Sequence, residues 1–250
     1  MEEKSLRAYV AELVGTFVLV FFIALVVTDT SVLQVRDFAV IGLVHVFVLG
    51  LLVASLAGVS GAHFNPAVTV TLAALRKIRG PDAAVYILMQ LAGATLAAYL
   101  VKAVLLDEGR SVKYGGTLVA KAFLGGDLSG FVLEGIGTFV LLFAIVGSAV
   151  IMKNKSALTP WVIGGALGGA VMCIAPLTGA GLNPARAFGP LLAADALFDN
   201  FGTFLFVYTL GPIVGGLLAG FLVHWLYRGD VEEAQAITAA REDIIDGGAA

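Results

Sequence analysis

The chain has 250 residues, of which 59% are hydrophobic and only 13% charged, with a formal net charge of −3. A soluble domain carries about 25% charged residues, so a water-facing surface of ordinary polarity is excluded, and the small negative charge offers nothing to nucleic acid. The single cysteine, Cys173, excludes a disulfide within the chain and any cysteine-based metal cluster.

The charge is clumped, and the stretches between clumps are long. The first apolar run, about 6–27, is long enough to cross a hydrocarbon core of ~30 Å. Glu2 and Glu3 stand where a cleavable leader would carry basic residues, so this run reads as a first membrane helix. A second span is expected over 38–58. The next apolar piece, about 65–76, is too short to cross and opens on Asn65-Pro66, which suggests a re-entrant segment. A third span over 82–105 and a long polar connection, 106–128, follow. Spans over 129–151 and 160–178, a second short piece at 183–194 opening on Asn183-Pro184, and a last span over 202–226 complete the series. Residues 229–250 form an acidic tail (Glu232, Glu233, Glu242, Asp243, Asp246) to which no function is assigned.

Orientation follows from the basic residues of the short connections. Lys4, Arg7, Arg76, Lys77, Arg79, Lys153, Lys155, Arg228 and Arg241 fall on one side if the runs alternate, and the opposite short loops hold only Arg36. Both termini are therefore expected to be cytoplasmic in a multi-pass protein of the cell membrane. Arg110, Lys113 and Lys121 lie in the long connection, which weighs little.

The chain also repeats itself. Ala11-Glu12-Leu13-Val14-Gly15-Thr16-Phe17-Val18-Leu19 aligns with Leu133-Glu134-Gly135-Ile136-Gly137-Thr138-Phe139-Val140-Leu141 at an offset of 122. The same offset pairs Val40-Ile41-Gly42 with Val162-Ile163-Gly164, Val85-Tyr86 with Val207-Tyr208, and Gly93 with Gly215. The Asn-Pro-Ala segments are offset by 118, because the second loop is four residues shorter. Each copy (about 6–105 and 129–226) holds an odd number of spans, so the second enters the membrane from the opposite side and the repeats are inverted.

The paired motifs are Asn65-Pro66-Ala67 and Asn183-Pro184-Ala185. Asn is a favoured N-cap, and Pro suits the first helical position, where no amide hydrogen is needed. In inverted repeats two such helices start near the midplane and run outward, with their electropositive ends facing each other. Irregular backbone at that depth must be buried in protein or line a wet cavity. The extended residues before each cap would leave carbonyls free, at His63 and Phe64 on one side of the centre and at Ala180 and Gly181 on the other.

On these motifs, with Glu12, Glu134, Arg186 and Gly211-Pro212, the chain resembles the aquaporin, or major intrinsic protein, family over about residues 6–226. The resemblance implies an all-α membrane fold of six transmembrane helices and two re-entrant half-helices. It implies one channel domain over 1–228, a pore in each subunit and a homotetramer. Its partners would be lipid, water and small neutral solutes, with no cofactor and no metal. Water would pass in single file, its oxygen held by the amides of Asn65 and Asn183, while the facing dipoles and Arg186 repel hydronium and other cations. Leu19 and Leu141, seven residues after each glutamate, would form an apolar wall that cannot replace an ion's hydration.

By the resemblance, Glu12 and Glu134 brace the re-entrant loops through backbone amides, and His45, Val171, Ala180 and Arg186 form the selectivity constriction. That set departs from water-strict members, which usually have Phe where His45 stands and His where Val171 stands. It looks more like that of plant vacuolar aquaporins, which pass water and often ammonia or peroxide. Ala187 stands where glycerol channels usually have Asp, and Ala180 where mercury-sensitive members have Cys; weak mercury inhibition is expected.

A glycerol or small-solute facilitator of the same family is the nearer alternative. A secondary transporter also suits inverted repeats and broken helices, but the midplane candidates are two neutral amides and offer no obvious coupling-ion site. An enzyme is the remotest reading, because no Ser, His and Asp set or metal-ligand cluster is evident.

Overall fold

The computed structural model describes residues 3–105, 108–151 and 156–229, and every regular element among them is helical. Helix α1 (Glu3–Val32) outruns the apolar stretch that predicts it. Thr28, Thr30 and Ser31 each turn a hydroxyl onto the carbonyl four residues earlier, at 2.6, 2.5 and 2.5 Å, and so stay within the helix. Asp37 caps α2 (Phe38–Ser60), its carboxylate accepting from the N–H of Ala39 at 2.8 Å and of Val40 at 3.3 Å. A short α3 (Pro66–Ala74) and a long α4 (Gly80–Leu105) complete the first repeat.

The connection holds a kinked 3-10 segment (Glu108–Gly115) and a single turn, α5 (Lys121–Leu124). Helix α6 (Asp127–Ile145) runs on through a π turn (Val146–Ile151) and is followed by α7 (Thr159–Thr178) and the short α8 (Pro184–Ala193). Last, α9 (Phe201–Leu205) passes through a second π turn (Phe206–Leu210) into α10 (Gly211–Leu226). Among the described residues, six segments are long and apolar enough to cross a membrane: Ser5–Val32, Phe38–Ser60, Gly80–Leu105, Asp127–Val150, Thr159–Thr178 and Phe201–Leu226. Lys153, Lys155 and Arg241 of the orientation argument, and residues 230–250 of the expected tail, lie outside the described residues.

Packing follows the repeat. Helix α1 lies against α4 and α2 in the first copy as α6 lies against α10 and α7 in the second, and α2 packs on α7 to join the copies. Two glycines at matching positions permit close approaches. A Cβ on Gly93 would stand 2.4 Å from the Leu13 carbonyl oxygen, and one on Gly215 would stand 1.9 Å from that of Gly135, so the backbones touch where any side chain would separate them. The short helices cross over between copies: α3 packs on α10 as well as α4, and α8 packs on α4.

Polarity is arranged inside out. Glu12 and Glu134 are fully buried and Arg186 is 2% exposed, whereas Leu88 is 65% and Leu218 62% exposed. A protein surrounded by water would reverse that order. An apolar exterior around a charged interior is what lipid selects.

Candidate functional site

Each Asn-Pro-Ala segment starts its helix as the cap chemistry requires. Asn65 (φ −155°) accepts the Ala67 N–H at 2.8 Å, and Asn183 (φ −155°) accepts the N–H of Ala185 at 2.9 Å and of Arg186 at 3.3 Å. Both use the side-chain oxygen, so the amide nitrogen is left to donate. That of Asn65 donates to the Leu182 carbonyl at 2.9 Å, and that of Asn183 to the Phe64 carbonyl at 2.9 Å. The caps are therefore cross-tied, each to the residue before the other. The amino ends of α3 and α8 are held face to face, with one hydrogen left on each amide.

The loops that deliver these caps are strained. Ala62, Phe64, Ala180 and Leu182 all have positive φ, at 54°, 49°, 45° and 50°. Each such non-glycine residue costs on the order of 1–3 kcal/mol and persists only where its surroundings over-determine it. Here the surroundings are two buried carboxylates. Glu12 accepts from the Ser60 hydroxyl (2.7 Å), the His63 N–H (3.0 Å), the Phe64 N–H (2.7 Å) and the Gln90 amide (2.7 Å). Glu134 accepts from the Thr178 hydroxyl (2.5 Å), the Gly181 N–H (2.9 Å) and the Leu182 N–H (2.6 Å). Tyr86 and Tyr208 donate to the carbonyls of Ser60 (2.9 Å) and Thr178 (2.6 Å), fixing the ends of α2 and α7 where each loop begins.

A cavity of about 550 Å³ runs past both caps. Leu19 and Leu141 line it with Asn65, Asn183, His63 and Gly181. It reaches Ser156 and Thr159 at one end and His45 and Arg186 at the other. A second cavity of about 290 Å³ is lined by Arg36, Lys113, Val171 and again His45. His45 borders both and so stands between them. Its Nδ1 is 2.7 Å from the Ile41 carbonyl. A carbonyl can only accept, so Nδ1 carries hydrogen, and in the neutral ring Nε2 is left as an acceptor.

Arg186 enters from the first turn of α8, and its Nη1 donates to the Gly115 carbonyl at 2.9 Å. That acceptor comes from the connection between the repeats, which turns inward through Lys113 (φ 52°), Tyr114 (φ 50°) and Gly115 (φ 76°). Only glycine fits at 115: besides its φ, an added Cβ would meet the Ala24 carbonyl oxygen at 2.7 Å.

Two expected features differ. Phe64 stands behind the cavity wall: its side chain is fully buried, in the space a Cβ on Gly15 would need, and its carbonyl is occupied by Asn183. His45, Val171, Ala180 and Arg186 do not share one cavity. His45 and Arg186 meet at the larger, His45 and Val171 at the smaller, and Ala180 lines neither. Ala180 has only a methyl group to present, and its N–H is turned onto the Thr178 hydroxyl at 3.1 Å.

Sequence alone does not mark Ser60, Thr178 and Gln90 as partners of the carboxylates or Gly115 as the acceptor for Arg186. Ser60 and Thr178 stand at the 118-residue offset of the motifs, and Gly115 belongs to a Tyr-Gly-Gly run inside a polar loop. Gln90 carries no repeat signal, because Pro212 occupies the matching place.

Over residues 1–223 the sequence matches the family described as Major intrinsic protein. It is 33% identical over 241 residues to the "Probable aquaporin AqpM" of Archaeoglobus fulgidus, covering 89% of this chain and 97% of that protein. It is 35% identical over 243 residues to "Aquaporin TIP2-1" of Arabidopsis thaliana, covering 94% of this chain and 93% of that one. Among solved structures, the aquaglyceroporin from Plasmodium falciparum shares the fold, with a TM-score of 0.76 at 23% identity over 91% of this chain and 99% of that chain.

Proposed function

We infer from the major intrinsic protein family, to which this chain belongs, that it is a multi-pass membrane protein and a passive channel for water. The observation that carries this reading is the pair of cross-tied asparagine caps facing one another across a continuous cavity.

In this reading each amide spends one hydrogen on the opposite loop and offers the other to a passing water. A water oxygen held by both amides has no lone pair free to accept a proton from its neighbour. The facing half-helix ends add a positive potential at the same level, and Arg186 adds a full charge beyond it. Leu19 and Leu141 give the wall beside the amides nothing with which to replace an ion's hydration shell. Protons and ions are thereby refused while water passes.

His45, Val171, Ala180 and Arg186 select among neutral solutes. Nε2 of His45 supplies an acceptor for N–H or O–H groups, and the aliphatic Val171 leaves the approach broad. We therefore assign ammonia or hydrogen peroxide as accompanying solutes. The unit is one channel domain over residues 1–228, with both termini cytoplasmic in the cell membrane, assembled as a homotetramer.

Purified protein in vesicles tests the reading directly. Shrinkage should rise linearly with the osmotic gradient and show a low activation energy; saturation would favour alternating access. With water, ammonia and glycerol measured in parallel, His45→Phe should lower ammonia flux more than water flux. Equal changes in both would remove His45 from solute selection.

A further inference from the structure

We propose that Lys102, a residue of α4 that lines neither cavity, is a positioning residue for Arg186 and so sets which solutes pass; this rests on the channel reading above. Arg186 is carried by α8, whose far end is held from another helix. The last carbonyls of α8 are mostly taken by the chain itself: Pro190 accepts from Ala194, Leu191 from Ala196 and Leu192 from Asp195. The carbonyl of Ala193 is met instead by the Lys102 ammonium at 2.5 Å, with the Asp195 carboxylate 3.4 Å away. A cation at a helix carboxyl end is held by both the carbonyl and the dipole.

The same ammonium stands 5.8 Å from the ring centroids of Tyr99 and Tyr114, within reach of a cation–π attraction. Tyr114 is 1% exposed, packed with Val101 and Ala24, and directly precedes Gly115, whose carbonyl holds Arg186. Lys113 and Tyr114 both have left-handed backbones and need a tertiary hold. The guanidinium thus hangs between two supports, the helix that carries it and the carbonyl that receives it, and both supports meet at Lys102. Among the described residues the arrangement is present once. At the repeat offset Lys102 becomes His224, which is exposed, and Arg186 becomes Val68. The buried guanidinium and the lysine that anchors its supports occur together, in the half of the pore built on α8.

The test compares wild type, Lys102→Met and Lys102→Arg in vesicles, reading the ratio of glycerol to water permeability. Lys102→Met keeps most of the stem and loses the charge; it should raise the ratio roughly five-fold, within the range exerted by residues one step removed from a site. Lys102→Arg should restore the wild-type ratio. Tyr114→Leu removes the ring and keeps the lysine, and should shift the ratio the same way even if Lys102→Met fails to insert. A ratio unchanged in the inserted variants, or water and glycerol falling together, overturns the proposal. A wild type that passes no water would instead sink the channel reading; a conducting wild type with an unmoved ratio sinks only the role of Lys102.

Discussion

The two halves of the pore share one scaffold and differ in the chemistry attached to it. In the first, Glu12 gathers four donors, and one of them, Gln90, also donates to the Thr69 hydroxyl at 2.9 Å; that hydroxyl is in turn 3.1 Å from Nδ1 of His63. In the second, Glu134 gathers three donors, and the places of Gln90, Thr69 and His63 are held by Pro212, Ala187 and Gly181. The second half has Arg186 where the first has Val68. One side is thus a carboxylate in a polar network of adjustable side chains, and the other a carboxylate and a guanidinium on a framework with fewer side chains able to adjust. The inverted repeat supplies two facing caps and their braces, and of the two only the second carries a guanidinium beside it.

The largest expected effect comes from neutralising the braces one at a time. Glu134→Gln leaves a backbone N–H of the second loop without an acceptor, and Pro212, which stands where the first half has Gln90, offers no side-chain group to adjust to it. Leaving such a buried donor unsatisfied costs about 1–3 kcal/mol. Glu12→Gln also strands an N–H, but Gln90 can rotate its amide and present its oxygen, which has no hydrogen-bond partner among the described residues. Its cost should lie at the low end of that range. Unfolding midpoints in one detergent should therefore fall further for Glu134→Gln than for Glu12→Gln. Equal losses would mean that the halves are braced alike and that the difference between Gln90 and Pro212 is without consequence.

That asymmetry marks the limit of what could be read from sequence. The spans, the half-helices and the place of each carboxylate were legible because they follow from apolar length, from cap chemistry and from a repeat that displays every structural feature twice. Arg186 was legible as a charge at an uncharged depth. Gly115 was not, because its role depends on a polar loop turning inward over more than 70 residues of separation, and Gln90 was not, because its twin is a proline. The constriction of His45, Val171, Ala180 and Arg186 came from the resemblance; Arg186 and Val171 line different cavities, His45 lines both, and Ala180 lines neither.

Making the second half resemble the first sharpens the comparison. Arg186→Val installs the residue found at the matching place of the first repeat. It removes the guanidinium from the lining of the larger cavity and leaves the caps and Glu134 in place. Glycerol permeability should rise ~10-fold, the effect of about 1.4 kcal/mol on a barrier, while water permeability changes much less. Unchanged glycerol flux would move selection off the charge and onto His45 and Val171.

The smallest expected effect is none. Cys173 is exposed, two residues beyond Val171, which is 1% exposed and lines the smaller cavity. A step of two residues turns a helix by roughly 200°, so the thiol points away from the cavity that Val171 faces. Mercuric ion should bind it without narrowing the pore, and wild type and Cys173→Ser should conduct water equally in its presence. A block that Cys173→Ser abolishes would mean that α7 is rotated relative to the lining described above, and Val171 would lose its place in solute selection. The converse substitution tests Ala180, the member of the proposed set that lines neither cavity. Ala180→Cys should introduce a mercury block into a protein that otherwise lacks one; a variant that stays insensitive would leave selection on His45, Val171 and Arg186 alone.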